Sequence, residues 1–190
     1  MQQDTDRAFS YIELLVVITC LAVLVTAAIP SWLRNQSGNH LIMAAETMAQ
    51  DLRSARNLSL SHNSAYYLHY DNQQVHSGST AEDGWCYSLA PEAGCHCLEA
   101  ASPAVSCLPG NDRARKVIYS DEYPGIYLTE ARFGSQHSTR FDPVRGTARF
   151  GHLSLVDDFE RRLQINISLV GRVRICRPVA SLSVGPYPVC

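Results

Sequence analysis

Twenty-one residues from Phe9 to Ile29 (FSYIELLVVITCLAVLVTAAI) carry a single charge, Glu13. A helix of that length covers about 31 Å, the depth of a bilayer's hydrocarbon core. Glu13 narrows the choices, because an unpaired carboxylate in such a segment costs roughly 2.5–3.5 kcal/mol on insertion scales. It asks for a partner. A cleavable secretory signal ending at Val25-Thr26-Ala27, or a lipoprotein box at Val17-Ile18-Thr19-Cys20, would explain the apolarity but not the acid. The preceding residues also set Asp4 and Asp6 against Arg7, where a secretory signal needs a positive n-region. Pro30 closes the run and would kink, rather than end, a helix that continues.

The continuation is predicted to be amphipathic. Leu41, Ala45, Met48, Leu52, Ala55 and Leu58 recur at three- and four-residue steps, which draws an apolar stripe over about Ser31–Ser61. Gly38 interrupts it and predicts local bending. Met43 and Met48 read as packing residues. Beyond Asn63 the period becomes alternating: Ala65–Asp71, Trp85–Leu89, Val117–Ser120, Ile126–Thr129, Thr147–Val156 and Leu163–Val170 are short β-branched or aromatic runs between Gly, Pro, Asn and Asp. They predict an antiparallel sheet. With 190 residues there is room for one domain and an appendage, so the expected fold is α+β, a long N-terminal helix covering one face of that sheet. No internal repeat is present.

Six of the seven cysteines (Cys86, Cys95, Cys97, Cys107, Cys176, Cys190) lie outside the apolar run. An even count in a short chain behind an export segment predicts disulfides and an oxidising compartment. Cys95-His96-Cys97 is poor geometry for a bridge between the two nearest cysteines, so Cys86 and Cys107 are each expected to take one of them. Zinc is the weaker alternative, since Cys-x-Cys is not the usual ligand spacing. Cys176 and Cys190 would close a C-terminal loop, removing roughly 3 kcal/mol of unfolded-state entropy.

The run Phe9-Ser10-Tyr11-Ile12-Glu13-Leu14-Leu15-Val16-Val17-Ile18 resembles the class III signal of type IV pilins and pseudopilins. The resemblance implies a pilin fold, cleavage by a prepilin peptidase between Ala8 and Phe9, methylation of the new amine, and Glu13 as the carboxylate that pairs with a terminal amine of another pilin during assembly. The family usually has Gly where this chain has Ala8. Its layout would be a leader over 1–8, a membrane or filament-core helix over 9–30, an amphipathic helix over 31–62 and a disulfide-stapled head over 63–190. The protein would sit in the inner membrane with a periplasmic head, then outside the cell in the pilus. Gly84-Trp85, Phe141-Asp142-Pro143-Val144-Arg145-Gly146, Ile165-Asn166-Ile167-Ser168 and Gly171-Arg172-Val173-Arg174-Ile175-Cys176 narrow the resemblance to the GspH/FimT group of minor pilins. In the FimT branch a Gly-Arg-x-Arg motif is implicated in DNA uptake during natural transformation.

Charge layout bears on the same point. The net charge of −2 hides a split: His62–Asp112 holds six acids and no Lys or Arg, whereas Arg113–Arg177 holds twelve bases against seven acids. Eleven of those bases are Arg, whose planar fork grips phosphate and stacks on bases. If Gly171–Cys176 is extended, Val173 and Ile175 face the core and Arg172 and Arg174 face solvent, about 6.6 Å apart. Tyr187 in the tail is a further candidate for stacking on a base. The expected DNA-binding residues are Gly171, Arg172, Arg174 and Arg177, with Arg145, Arg149, Arg161 and Arg162. Binding would be led by phosphate contacts, with little sequence preference.

Catalysis is not expected. No nucleophile elbow, His-Glu-x-x-His run or phosphate-cradling Gly-rich loop is present, and His62, His69, His76, His96, His137 and His152 are scattered. No cofactor or metal is called for. The alternative to a DNA receptor is a subunit that primes or caps a pilus or a secretion pseudopilus and binds no ligand.

Overall fold

A long helix, α1, runs from Tyr11 to His62 with Pro30 inside it. The computed structural model describes residues 11–72, 84–97, 115–134 and 138–190, so the expected cleavage point at Ala8 and Phe9, and Cys107, lie outside the described residues. The chain divides into two compact units, Met1–Gln36 and Ser37–Cys190.

In the first unit the apolar side chains of α1 are exposed, from Leu15 at 44 % to Tyr11 at 78 %. The helix is long and apolar enough to cross a membrane. Three of its hydroxyls are satisfied within the helix: Thr19 Oγ1, Thr26 Oγ1 and Ser31 Oγ donate to the carbonyls of Val16, Val23 and Ala28 three residues back. Such bonds remove the cost of a polar group in hydrocarbon.

The second unit is built on the rest of α1. Leu41, Ala45, Met48, Leu52 and Ala55 are wholly buried, and Leu58 partly so, as the stripe predicts. Gly38 makes room for a side chain: a Cβ there would come within 2.8 Å of the Arg161 guanidinium.

Eight strands follow among the described residues: β1 Tyr66–Asn72, β2 Trp85–Ala90, β3 Lys116–Tyr119, β4 Ile126–Arg132, β5 Ser138–Phe141, β6 Gly151–Asp157, β7 Arg162–Ile167 and β8 Val173–Cys176. They form two four-stranded antiparallel sheets, ordered β3-β2-β1-β5 and β4-β6-β7-β8, rather than the expected single one. The break has a local cause. After β3 a 3-10 turn at Ser120–Glu122 and a left-handed Gly125 (φ 76°) turn the chain out of the first sheet, and β4 pairs with β6 instead.

Leu153, Leu155, Leu163, Ile165, Ile167, Val173 and Ile175 of the second sheet share one core with the helix stripe and with Trp85, Tyr87 and Phe141 of the first. Polar anchors fix α1 on the first sheet. Tyr87 donates to Asp51 Oδ2 at 2.7 Å, and Lys116 Nζ donates to both Asp51 oxygens at 2.8 and 2.7 Å. Trp85 Nε1 donates to the Ile126 carbonyl at 2.7 Å, which ties β2 to the start of β4.

The cysteines staple the edges. Cys86–Cys97 and Cys176–Cys190 are disulfides, and Cys95 is also disulfide-bonded. With Cys86 and Cys97 joined, the grouping of those sulfurs with Asp71 offers no free thiolate to a metal. Asp71 is otherwise engaged: it accepts from the Cys97 N–H at 2.8 Å, and its Oδ1 lies 2.9 Å from His96 Nδ1.

Candidate functional site

The Gly-Arg-x-Arg segment begins in the β7–β8 hairpin. Gly171 N–H donates to the Ser168 carbonyl at 2.9 Å, and Ser168 N–H donates to the Arg172 carbonyl at 3.0 Å. This is a tight turn closed by a left-handed residue, and Gly171 has φ 73°. A second constraint acts on the same glycine, because a Cβ there would run into the Gly146 carbonyl oxygen. Past the turn the predicted alternation holds: Val173 and Ile175 are buried, Arg172 and Arg174 exposed.

Gly146 belongs to the other turn singled out by the sequence. Asp142 Oδ1 accepts from the backbone N–H groups of Val144 and Arg145, and Gly146 N–H donates to the Asp142 carbonyl. The bonds from Arg145 and Val144 hold the Asp142 carboxyl below its usual range. The two turns are knitted together by Ala148 N–H donating to the Leu169 carbonyl, and by Arg56 from α1, whose Nε donates to the Gly146 carbonyl at 3.1 Å. Arg145 and Arg172, 27 residues apart in the chain, therefore flank one junction, with Arg56 beneath it.

Strand register carries the group outward across the second sheet. Arg174 faces Asn166, Asn166 faces His152, and His152 faces Arg132, so the four form one row over β8, β7, β6 and β4. Their side chains lie on the face opposite the core, since Ile167, Ile165, Leu153 and Val173 between them are buried. Glu130 is the acid beside this row, with Arg132 at 3.0 Å and His152 at 3.1 Å.

Gly171, Arg172, Arg174 and Arg145 are thus brought together, and the other expected arginines are not part of the junction. Arg162 is exposed on the same face but four residues up β7 from Asn166, about 13 Å away. Arg149 is half-buried, and its backbone N–H donates to the Arg140 carbonyl beside β5. Arg161 is structural: its Nε donates to buried Asp157 at 2.7 Å, its Cζ lies 5.4 Å from the centroid of the Phe159 ring, and its side chain is 12 % exposed. Arg177 is half-buried under the tail, where its N–H donates to the Pro188 carbonyl and its Nη1 to the Ser181 carbonyl.

Tyr187 is half-buried and packs against the core instead of presenting its ring to a base. Its hydroxyl donates to Glu46 Oε1 at 2.9 Å, and burial together with that bond pushes its pKa up to about 12. Arg56, Arg132, His152 and the 63 % exposed Phe150 were not singled out by sequence. For Arg56 a signal existed, since it follows Ala55 at the margin of the apolar stripe.

Chemically, the junction offers guanidinium donors on a solvent-facing surface. That arrangement suits the binding of phosphate or carboxylate and contains no nucleophile–base pair. No protein-family model, curated protein or solved structure matches the chain.

Proposed function

We propose that this chain is a minor pilin of the GspH/FimT type that binds DNA, held in the inner membrane by the apolar half of α1 before it enters a type IV pilus. The observation that carries the DNA reading is the junction of the two turns, where Gly146 and Gly171 meet and Arg145, Arg172 and Arg174 are presented with exposed side chains. A solubilising role would not require two separate turns to interlock. Arginines at such a junction suit a run of phosphates, and backbone contacts of this kind bind DNA with little regard to sequence. The pilin reading is supported by the exposed apolar helix with Glu13 in its first turn, and by a disulfide-stapled antiparallel head. Neighbouring pilins would supply a partner for Glu13.

The test uses the full-length protein in detergent micelles. Wild type should retard duplex DNA with a slope of log affinity on log salt near −2.7 for about three phosphate contacts. Arg172→Ala with Arg174→Ala should flatten the slope and weaken binding. Binding at low salt that ignores the double substitution would refute the DNA assignment. A mature N-terminus at Ala28, or a lipid on Cys20, in place of Phe9 would refute the pilin assignment.

A further inference from the structure

Phosphate binding leaves the exposed ring of Phe150, beside the turn junction, unused. Phe150 is 63 % exposed, and no ring stacks on it among the described residues. Its position is set by its neighbours: Ala148 N–H is bonded to the Leu169 carbonyl, and Gly151 is paired with Ile167. Phe150 therefore stands opposite Ser168, whose N–H is bonded to Arg172. Phe150 immediately precedes β6, and two residues on comes His152 of the outward row, with 28 % of its side chain exposed. Arg132 flanks His152 one strand away on one side, and Arg174 lies two strands away on the other, about 5 and 10 Å across the sheet.

A face with an exposed ring at its end and guanidinium groups in the row beyond it matches the demands of an unpaired nucleic-acid strand. Such a strand presents base faces as well as phosphates, and every base has a π-face to stack. A duplex presents its backbone to a flat surface and keeps its base faces stacked inside, so it would leave Phe150 without a partner. The nearby amides do not supply base-edge readout, because Gln164 Nε2 donates to Asn166 Oδ1 at 2.8 Å and Asn166 Nδ2 is turned to Cys176 Sγ at 3.1 Å. At this end of the face Arg132, Arg172 and Arg174 stand against Glu130, an excess of positive charge that suits a polyanion.

We infer that the outer face of the second sheet takes single-stranded DNA, with Phe150 as the platform for an unpaired base and Arg172 and Arg174 on the adjoining phosphates. This rests on the DNA-binding reading above and narrows its substrate. The experiment is fluorescence anisotropy of the full-length protein in detergent micelles, titrated into a labelled oligothymidine strand and a labelled duplex of the same length. Phe150→Ala should weaken single-strand binding about 5- to 150-fold while leaving duplex affinity unchanged. Arg172→Ala should weaken both. Phe150→Trp should restore the single-strand affinity, with its fluorescence quenched by the strand. An unchanged single-strand affinity for Phe150→Ala, or an equal loss on both forms, overturns this inference alone. Failure of the wild type to bind either form overturns it together with the DNA reading.

Discussion

The junction of the two turns makes a quantitative prediction that separates backbone strain from steric conflict. Gly171 and Gly134 both have left-handed backbones, φ 73° and φ 64°, but a Cβ at Gly134 would meet nothing within 4 Å while one at Gly171 would meet the Gly146 carbonyl oxygen. Alanine at either position incurs the left-handed penalty of roughly 1–2 kcal/mol, offset equally by the loss of glycine's freedom in the unfolded chain. These terms cancel in the difference. What remains is the cost of forcing a methyl group against a carbonyl in a packed junction, about 1–3 kcal/mol. Gly171→Ala should therefore melt below Gly134→Ala by about 2–4 °C for each kcal/mol of that difference. Because relief requires one turn to move off the other, Gly171→Ala should also weaken DNA binding, and Gly134→Ala should not. Differential scanning calorimetry of both variants, followed by the DNA titration, is the assay. Equal melting temperatures would show that the two turns do not touch as described, and the argument for a shared Arg145–Arg172 surface would fall with them.

Two further predictions concern the scaffold. Asp51→Ala leaves the buried Tyr87 hydroxyl and the half-buried Lys116 without their partner, which should cost about 2–4 kcal/mol, read as a lower urea midpoint at unchanged slope; Asp51→Asn keeps an acceptor for Tyr87 and should cost less, and equal losses would refute the account. His69 is buried, and its Nε2 accepts from the Gly94 N–H at 3.0 Å, which only a neutral ring can do. Burial first, and then the neighbouring His96, lower its pKa to about 4. Between an unfolded value of about 6.5 and that value the unfolded chain holds the extra proton, so stability is full above the window and falls as pH drops through it. His69→Gln retains an acceptor for Gly94 and should flatten that part of the curve of urea midpoint against pH; identical curves would show that His69 does not titrate there.

The α+β layout was legible because it rests on composition and period. Glu13 apart, the apolar run admits little but a long helix, and the stripe from Leu41 to Leu58 names the residues that are buried. The second sheet was harder to read, for a reason that lies in one residue. In β4 the inward positions are Ile126 and Leu128, but the register shifts between Leu128 and Glu130, so the buried residue that follows is Phe133. A bulge reverses the parity of everything after it. Read without the bulge, Arg132 would point into the core; with it, Arg132 joins His152, Asn166 and Arg174 in one outward row. Strand β5, four residues long and ending at Phe141, is too short to show a period.

Arg161 and Arg172 illustrate the same limit among the charged residues. Both are arginines in β-rich sequence within the basic half of the chain, yet one is consumed by buried Asp157 and sheltered by Gly38, while the other is left in solvent at the end of a hairpin. Asp157 lies only four residues before Arg161, but the room for the bridged side chain comes from Gly38, more than a hundred residues away in the helix. The junction itself depends on contacts of that range: Arg56 reaches the Gly146 carbonyl across 90 residues, and Gly146 abuts Gly171. A motif such as Gly-Arg-x-Arg can therefore state that two guanidinium groups share a face. Which face that is, and that Phe150 and His152 stand on it, is decided by the register of β6 and β7 and by the bulge in β4.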